Sequence, residues 1–398
     1  MKTSRVYFPK TATVLTVWFI FAGVVARPAQ AQTFTTLYHF TGGSDGDGPF
    51  AGVVLDPAGN LYGTTVLGGD LNCFAPDGCG VVYKVNPDGT ETVLHRFSGP
   101  DGQWPYTPAI RDSEGNIYGT AYSGGSGYWG AVFKIDPAGK ETVLYNFTGS
   151  SDGCYPFQGL VRDEAGNLYG TTAGCGYGEL GYGTIFKVDK AGNFTVLHIF
   201  TRETSDGGNP HYGHLSMDKS GNLYGVTLWG GAYDEGVLYK LSKNGTFTLL
   251  HSFTGGASDG CNPYGSVAQD ETGSLYGTTS GCASHNYGTI WKVSQKGKET
   301  TLHSFAGGTS DGCGLQTGVT RDSKGNLYGT TAWCGAHNEG ALYELSAKGK
   351  LTLLHSFGNG SDGRNPWGEV LRATNGRLFG VTYDGGTVWS YAPEKPLL

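Results

Sequence analysis

The stretch Gly-Asn-Leu-Tyr-Gly-Thr-Thr occupies residues 59–65, and the 398-residue chain repeats it or a close variant six more times. Successive copies begin 51 to 56 residues apart. A repeat of about fifty residues is typical of propellers and solenoids, in which each unit buries its apolar surface against its neighbours. The seven copies lie at residues 59–65, 115–121, 166–172, 221–227, 273–279, 325–331 and 376–382.

Each repeat except the last contains four short runs with the composition of strands. In the second repeat they cover residues 105–112, 115–121, 131–135 and 141–147, and Gly, Asp or Pro bounds each run. The runs are rich in β-branched and aromatic residues, and no stretch has the apolar period of a helix. We call the four strands A, B, C and D, counted from the inside of the unit outward.

The two ends of the chain favour a closed ring over an open rod. The last repeat has runs for strands A, B and C but ends without a strand D, whereas residues 34–40 match strand D and precede the first strand A. A solenoid would instead carry atypical capping repeats at both ends. The sequence therefore predicts an all-β, seven-bladed β-propeller of four-stranded antiparallel blades, in which the N-terminal strand closes the last blade.

The turn between strands A and B reads Asp-x-x-Gly in six repeats, beginning with Asp56 and Gly59. This pattern suits a tight hairpin turn that ends on a glycine with positive φ. Asp-x-x-Gly also occurs in calcium loops, but hairpin chemistry explains it without a ligand. We therefore expect these aspartates to stabilise turns.

The first 31 residues have the pattern of a secretory signal peptide: a basic start, an apolar run at 11–25 and Ala-Gln-Ala at 29–31. The predicted organisation is a signal peptide at 1–31, a propeller at 32–393 and a short tail at 394–398. Removing the leader takes the formal charge from −7 to −11, because it carries four basic residues and no acidic ones. We expect a secreted or periplasmic monomer with no integral membrane segment after cleavage and no nucleic-acid partner.

The eight cysteines have a regular spacing. Three pairs are each separated by 21 residues, with the first cysteine before strand A and the second after strand B, two points that a hairpin brings together. No Cys-x-x-Cys motif or Cys/His cluster suggests a metal or redox site, so in an exported chain the pattern predicts disulfides. The predicted bonds are Cys154–Cys175, Cys261–Cys282, Cys313–Cys334 and, within one loop, Cys73–Cys79.

The D-to-A and B-to-C loops fall on one face of the ring, which we call the long-loop face; the opposite, tight-turn face carries the A-to-B and C-to-D turns. The long loops vary between repeats, so we expect ligand binding there. Each D-to-A loop carries an aspartate, from Asp45 to Asp362, that suits turn stabilisation better than a calcium ring. Aromatic side chains in these loops suit stacking on a glycan or peptide, although they could instead pack between blades. The candidate ligand-binding residues are Trp104, Tyr128, Trp129, His211, Tyr212, Trp229, Trp333 and Trp367.

Residues that break the sevenfold repeat are the candidates for an enzyme. They include His211 and His214 before the fourth repeat and Glu235 after its strand B. No nucleophile, zinc or phosphate-loop motif is present, so we predict no catalytic residue, metal or cofactor. The preferred function is an exported, non-catalytic binding or scaffold propeller, and the alternative is a secreted lyase or hydrolase, acting on a polysaccharide or small metabolite at the central channel. The two differ in whether unlike ionisable groups meet near that channel.

The strings Gly-Asn-Leu-Tyr-Gly-Thr-Thr, Gly-Val-Val-Tyr-Lys-Val at 80–85 and Val-Leu-His-Arg-Phe at 93–97 resemble the GloVer (Gloeo/Verruco) tandem-repeat family of bacterial exported proteins. The resemblance covers residues 33–393. That family is defined by its repeats and has no assigned activity, so it implies no catalytic residue. More distantly, Asp-x-x-Gly-Asn-Leu-Tyr resembles the blade signature of NHL-type and streptogramin-lyase-like propellers.

Overall fold

The computed structural model describes residues 32–176, 181–211 and 213–393. They form seven four-stranded antiparallel sheets arranged as the blades of a ring, so the predicted seven-bladed propeller is confirmed. Among these residues no helix has the length and apolarity needed to cross a membrane. The predicted signal peptide and C-terminal tail lie outside the described residues and stay predictions.

The strands of each blade follow one another in sequence order from A to D, except that blade 7 takes its strand D from the N-terminus. A two-residue ladder between Gly207–Gly208 and Trp229–Gly230 supplements blade 4. The blade strands are Val54–Leu55, Leu61–Thr65, Val81–Val85 and Glu91–Arg96 in blade 1; Ile110–Arg111, Ile117–Ala121, Ala131–Ile135 and Glu141–Asn146 in blade 2; Val161–Arg162, Leu168–Thr172, Thr184–Val188 and Phe194–Ile199 in blade 3; Ser216–Met217, Leu223–Thr227, Val237–Leu241 and Phe247–Ser252 in blade 4; Cys261–Gln269, Leu275–Gly281, Thr289–Val293 and Glu299–Ser304 in blade 5; Thr320–Arg321, Leu327–Thr331, Ala341–Leu345 and Leu351–Ser356 in blade 6; and Leu371–Arg372, Leu378–Thr382, Thr387–Ala392 and Thr33–His39 in blade 7.

The N-terminal strand closes the ring as the sequence predicts. Thr33–His39 pairs antiparallel with Thr387–Ala392, with Phe34 opposite Tyr391. The ring of packed blades therefore has no gap between blade 7 and blade 1. This closure joins the two ends of the described chain in one blade.

The repeated glycine before Thr-Thr is required by close packing within the blade. Gly63 has an ordinary strand conformation, but a Cβ on it would lie 2.4 Å from the hydroxyl of Tyr83 on strand C. Tyr83 is fully buried, so the missing side chain of Gly63 makes the space for its ring. The following threonine links blades, because Thr64 Oγ1 donates to the carbonyl of Thr107 in the next blade at 3.0 Å. The motif thus encodes both the core of one blade and its contact with the next.

Strand A is shorter than the sequence predicts. In blade 2 the ladder covers only Ile110–Arg111 instead of residues 105–112, and only blade 5 has a long strand A. In blade 2, Pro105 and Pro108 stand in the predicted run and supply no N–H to a ladder. Proline is not the general cause, because blade 6 has a short strand A without a proline and blade 5 keeps Pro263 within its long one. The residues before the short ladder instead cross the central channel, where they carry the groups described below.

The turn aspartates act as the hairpin prediction states. Asp56 Oδ1 accepts the backbone N–H groups of Ala58 and Asn60, and Oδ2 accepts the side chains of Asn60 and Tyr62. Burial alone would raise the pKa of Asp56, but these hydrogen bonds outweigh it and hold the pKa below its usual range. Gly59 closes the turn at φ +90°.

All four predicted disulfides are present, and the described residues include no free cysteine. The three 21-residue pairs have Cα–Cα distances of 5.3 to 5.4 Å, and the Cys73–Cys79 pair has 5.6 Å. All lie on the long-loop face, since they join D-to-A and B-to-C loops or lie within one. The bonds fix the loops on which we expected binding residues.

Candidate functional site: the long-loop face and the central channel

The aspartates of the D-to-A loops hold each loop in place by hydrogen bonds to strand D and to the loop backbone. Asp101 Oδ2 lies 2.8 Å from His95 Nε2 on strand D, and Oδ1 accepts the backbone N–H and the hydroxyl of Ser98. Tyr38 and Tyr145 take the place of the histidine in two blades. Burial would raise the pKa of Asp101, but these hydrogen bonds outweigh it and lower the pKa. This is the turn-stabilising role that the sequence predicts.

One of these loop aspartates, Asp45, lies near the carboxyl group of Glu91, whose charged form is destabilised. Burial, with the charge of Asp45, raises the pKa of Glu91 to about 7. Its Oε1 atom is buried and has no hydrogen-bond partner within the described ranges. Because the pKa is higher in the folded chain than the ordinary 4.5, the associated stability is complete below about pH 4 and is lost as the pH rises through about 7.

We therefore expect Glu91→Gln to raise the free energy of unfolding at pH 8 by about 1 kcal/mol, after allowance for solvent screening, and to give no gain at pH 4. Urea unfolding at the two pH values measures the difference. Glu164→Gln, at an exposed position, is the control and should have little effect at either pH. A gain for Glu91→Gln that is equal at pH 4 and pH 8 would contradict the assignment.

Aromatic rings close the long-loop end of the central channel. Phe50 contacts Tyr106 and Trp367 with ring centroids 5.2 and 5.0 Å apart. Phe157 stacks on Tyr106 at 4.5 Å and on His211 at 4.1 Å. We call these five residues, which come from blades 7, 1, 2, 3 and 4, the aromatic plug. Removal from water lowers the pKa of His211 to about 3, so this ring is neutral at physiological pH.

The large apolar side chains that remain exposed share one location. In the described part of the chain all of them lie in B-to-C loops, on the long-loop face. Tyr128 is 71% exposed, Trp333 43% and Trp229 37%. The full set is Leu71, Phe74, Tyr128, Trp229, Tyr233, Tyr287 and Trp333.

Several of these rings are seated on glycine backbone or on a charged group. A Cβ on Gly314 would lie 2.1 Å from the ring of Trp333, and one on Gly307 would lie 2.9 Å from the ring of Tyr287. Trp229 has the Arg202 guanidinium 4.7 Å from its ring centroid. One side of each ring is therefore held by the protein while part of the ring stays in contact with water.

The eight candidate ligand-binding residues thus divide into several groups. Trp229, Trp333 and Tyr128 are exposed, whereas His211 and Trp367 belong to the plug. Trp104 and Trp129 are half-buried: Trp104 meets Phe74 edge to face at 4.8 Å, and Trp129 lies against Tyr155 at 5.4 Å. Tyr212 lies outside the described residues.

Below the plug the channel widens into a cavity of about 540 Å³. Its walls are the strand A segments of blades 1, 2, 3 and 7, together with His214 and Thr320. Strand A runs from the long-loop face to the A-to-B turn, so these residues place the cavity on the tight-turn side of the plug. The guanidinium-bearing residues Arg111, Arg162 and Arg372 line it.

Three unlike polar side chains meet at the inner end of this cavity. Ser266 Oγ lies 2.7 Å from His214 Nδ1 and also accepts the backbone N–H of His214 at 2.8 Å. Glu369 Oε1 accepts the backbone N–H of Ser266 at 2.8 Å, and Oε2 lies 3.4 Å from His214 Nδ1. We call His214, Ser266 and Glu369 the channel cluster. It orients the imidazole through Nδ1, and no hydrogen bond to Nε2 is found within the described ranges.

The channel cluster occupies a single position of the repeat. Each of its members stands four residues before the first residue of the A-to-B turn, which is Asp218, Asp270 or Ala373. The same position holds Gly52, Pro108, Gly159 and Gly318 in the other blades. Sequence reasoning singled out His214 but missed Ser266 and Glu369, which an alignment of the seven repeats on the turn would have found.

Other residues that break the sevenfold repeat lie in the long loops and not in the channel cluster. Arg202 forms a two-point ion pair with Asp234, with Nε–Oδ1 at 2.8 Å and Nη2–Oδ2 at 2.5 Å. Glu235 lies beside Cys261 and Cys282, the one group in the described ranges with metal-ligand spacing. The two sulfur atoms are joined in a disulfide, so neither is a thiolate ligand.

These features define the class of protein: a disulfide-clamped, seven-bladed propeller with an aromatic face and a polar central cavity. The chain belongs to the Gloeobacter/Verrucomicrobia repeat family, whose model matches residues 21–181 and 166–392. Among curated proteins no sequence match is found.

Solved structures share the fold at low sequence identity. The chain is similar to virginiamycin B lyase from Staphylococcus aureus, with 12% identity, a TM-score of 0.59, and 91% of this chain and 99% of that one covered. A streptogramin B lyase gives 10% identity, a TM-score of 0.58 and coverage of 91% and 97%. The chain is also similar to the extracellular domain of a protein named as a putative hybrid two-component system from B. thetaiotaomicron. The sequence identity is 12% and the TM-score 0.60, with 92% of this chain and 40% of that one covered. At such identities these likenesses describe the fold alone.

Proposed function

We propose that the chain is an exported, non-catalytic binding protein whose long-loop face holds a glycan. The observation that supports this most directly is the location of the exposed large apolar side chains, which in the described residues all lie in the B-to-C loops. A set of exposed apolar residues on one face of a soluble protein commonly marks an interaction site. The propeller beneath it is a rigid support for such loops.

The way the rings are held favours a glycan over a peptide. Trp333 and Tyr287 are seated on Gly314 and Gly307, so their orientation is fixed before any ligand arrives. Fixed, partly exposed rings suit the flat C–H faces of sugars, and the loops between them supply polar groups such as Asn286 and Asn338. Since little side-chain freedom remains to be lost, the entropic cost of binding is small.

Export agrees with the cysteine chemistry. Four disulfides in one domain are typical of an oxidising compartment, such as the periplasm or the exterior of the cell. The predicted signal peptide gives a route to that compartment. A glycan of the cell surface or the environment is the ligand that such a protein would meet.

The alternative function, a lyase or hydrolase at the channel, has one observation in its favour. The channel cluster brings His214 and Glu369 together, as an enzyme would require. However, Ser266 Oγ and the Glu369 carboxylate both approach the same ring nitrogen, Nδ1. In a catalytic Ser-His-carboxylate relay the nucleophile and the carboxylate use opposite nitrogens. The arrangement suits a held imidazole better than an activated serine, and binding is therefore the preferred function.

Replacing Trp229 and Trp333 by Ala should weaken glycan binding by about 10- to 100-fold, because each stacked ring contributes on the order of 1 kcal/mol or more. A glycan array identifies a ligand, and titration calorimetry with that glycan measures the loss. Quenching of tryptophan fluorescence by the glycan gives a second, independent signal.

The control is Lys348→Ala, an exposed residue of a C-to-D turn on the opposite face, which should bind as the parent does. Thermal unfolding checks that the Trp229→Ala/Trp333→Ala protein is folded. Retention of full glycan affinity by that variant would reject the proposal, as would an array on which only peptides are bound.

A further inference from the structure

We infer that the central cavity is a second binding site, for a small polyhydroxylated anion, with its arginines holding the anionic group and the channel cluster holding hydroxyl groups. This site lies on the tight-turn side of the aromatic plug and is independent of the glycan proposal for the long-loop face. Its volume of about 540 Å³ is within the range of small-molecule sites, roughly 300–1,000 Å³.

The arginines of the cavity are held against tyrosine rings of the neighbouring blades. Arg162 lies over the ring of Tyr118 in the preceding blade at 5.9 Å, and Arg372 lies over Tyr328 at 5.7 Å. A guanidinium group has five N–H donors. The Nε atoms of both residues are buried and have no hydrogen-bond partner within the described ranges. Fixed guanidinium groups with spare donors suit two-point binding of a carboxylate or phosphate.

The carboxylates near these arginines leave their charge only partly balanced. Arg372 Nη2 is 3.9 Å from Asp322 Oδ2, beyond hydrogen-bond distance. Asp322 is itself engaged by the backbone of Lys324 and Asn326 in its turn. Glu369 is the one carboxylate-bearing residue among the described residues that line the cavity, and the third arginine of the lining is Arg111. Among the lining groups the guanidinium groups therefore outnumber the carboxylates.

The inner end of the cavity offers polar groups to an uncharged part of the ligand. His214 lines the cavity, and no hydrogen bond to its Nε2 atom is found within the described ranges, whereas Nδ1 is held by Ser266. Glu369 Oε2 can accept a hydrogen bond from a ligand hydroxyl group. The walls between the two ends are aliphatic, as at Val54 and Leu371, and suit the C–H face of a sugar-sized ligand.

Arg321 gives a matched control within the same molecule. It lies over Tyr276 at 5.7 Å as the other arginines lie over their tyrosines, but its Nη1 pairs with Glu271 at 3.3 Å. It is not among the described residues that line the cavity. Replacing it removes the same inter-blade packing without removing a cavity donor.

Titration calorimetry of the full chain with glucuronate, glucose 6-phosphate and glucose tests the site. At least one of the two anions should bind, and glucose should bind about tenfold more weakly or worse, because a hydrogen bond to a charged group is worth about 1.5–3 kcal/mol. Arg162→Gln and Arg372→Gln should each weaken anion binding by about tenfold, and Arg321→Gln should leave it unchanged. The two anions separate a carboxylate from a phosphate preference.

His214→Gln tests the inner end. This variant should weaken the sugar anion but leave the binding of inorganic phosphate unchanged. The inference is overturned if neither anion binds at about 10 mM, if glucose binds as well as the anions, or if Arg321→Gln loses as much affinity as Arg162→Gln. Glycan binding at the long-loop face should be the same in all these variants, so the two sites fail or succeed separately.

Discussion

Deletion of residues 32–41 should lower the free energy of unfolding by more than about 5 kcal/mol, enough to unfold a marginally stable domain. The deletion removes strand D of blade 7 and leaves the Thr387–Ala392 strand without its partner. Phe34 stacks on His355 at 3.8 Å, and Phe40 is buried against Tyr83 in blade 1. Loss of one buried Phe alone costs about 3–5 kcal/mol, and the deletion removes the buried Phe40, the half-buried Phe34 and a strand ladder together.

Thermal and denaturant unfolding of the truncated and parent chains measure this effect. A synthetic peptide of residues 32–41 added to the truncated protein should restore part of the stability in a concentration-dependent way, because the missing strand can pair from outside. A scrambled peptide of the same composition is the control. Unchanged unfolding of the truncated chain would contradict the closure.

The fold could be predicted from sequence because its determinants are local and repeated. Gly63 admits the ring of Tyr83, and Asp56 closes a turn with Asn60 and Tyr62, all within one blade. The residues that make these contacts recur at the same positions of each repeat, so the repeated motif reveals them in the sequence. The disulfides followed for the same reason, since a 21-residue interval spans a hairpin whose ends are adjacent.

The channel cluster could not be predicted in the same way because it depends on contacts between distant blades. Ser266 and Glu369 are 103 residues apart, and nothing in its own repeat marks either residue as part of a site. Blade 4 also has one more residue than the others between its proline, Pro210, and the turn at Asp218. Counting from the proline therefore misaligns His214 with the other two. Counting from the turn aligns all three, but only the ring shows that they meet.

The exposure of the aromatic side chains is a second property that could not be predicted from the sequence. Trp333 and Trp367 both lie beside glycine-rich loops, yet Trp333 is exposed and Trp367 stacks on Tyr383 at 5.1 Å in the plug region. Their difference arises from position: Trp367 directly follows the D-to-A proline and packs at the channel, whereas Trp333 is the second residue after strand B and remains on an outer loop. Composition alone gave both alternatives equal support, and both are realised in different rings.

Removal of the three 21-residue disulfides by Cys-to-Ser replacement should destabilise the chain by about 10 kcal/mol in total, close to the whole stability of a typical domain. Each bond closes a loop of 21 residues, worth about 3 kcal/mol, and the bonds lie in blades 3, 5 and 6, so their effects should add. The Cys-to-Ser replacement removes no donor or acceptor of the backbone hydrogen bonds between Cys154 and Gly174, so the measured loss reports the covalent constraint. Urea unfolding of the single, double and triple variants should show successive decreases.

The Cys73–Cys79 bond is the internal comparison, because it closes only six residues and its removal should cost about 2 kcal/mol. The order of effects, with each 21-residue bond above the six-residue bond, follows from loop length if the bonds act mainly on the unfolded chain. Non-reducing peptide mapping of the protein, purified without reductant, must first find all four bonds within their own blades. Free thiols, bonds between blades, or a triple variant as stable as the parent would show that the long-loop face is held by packing of its rings and not by its cysteines.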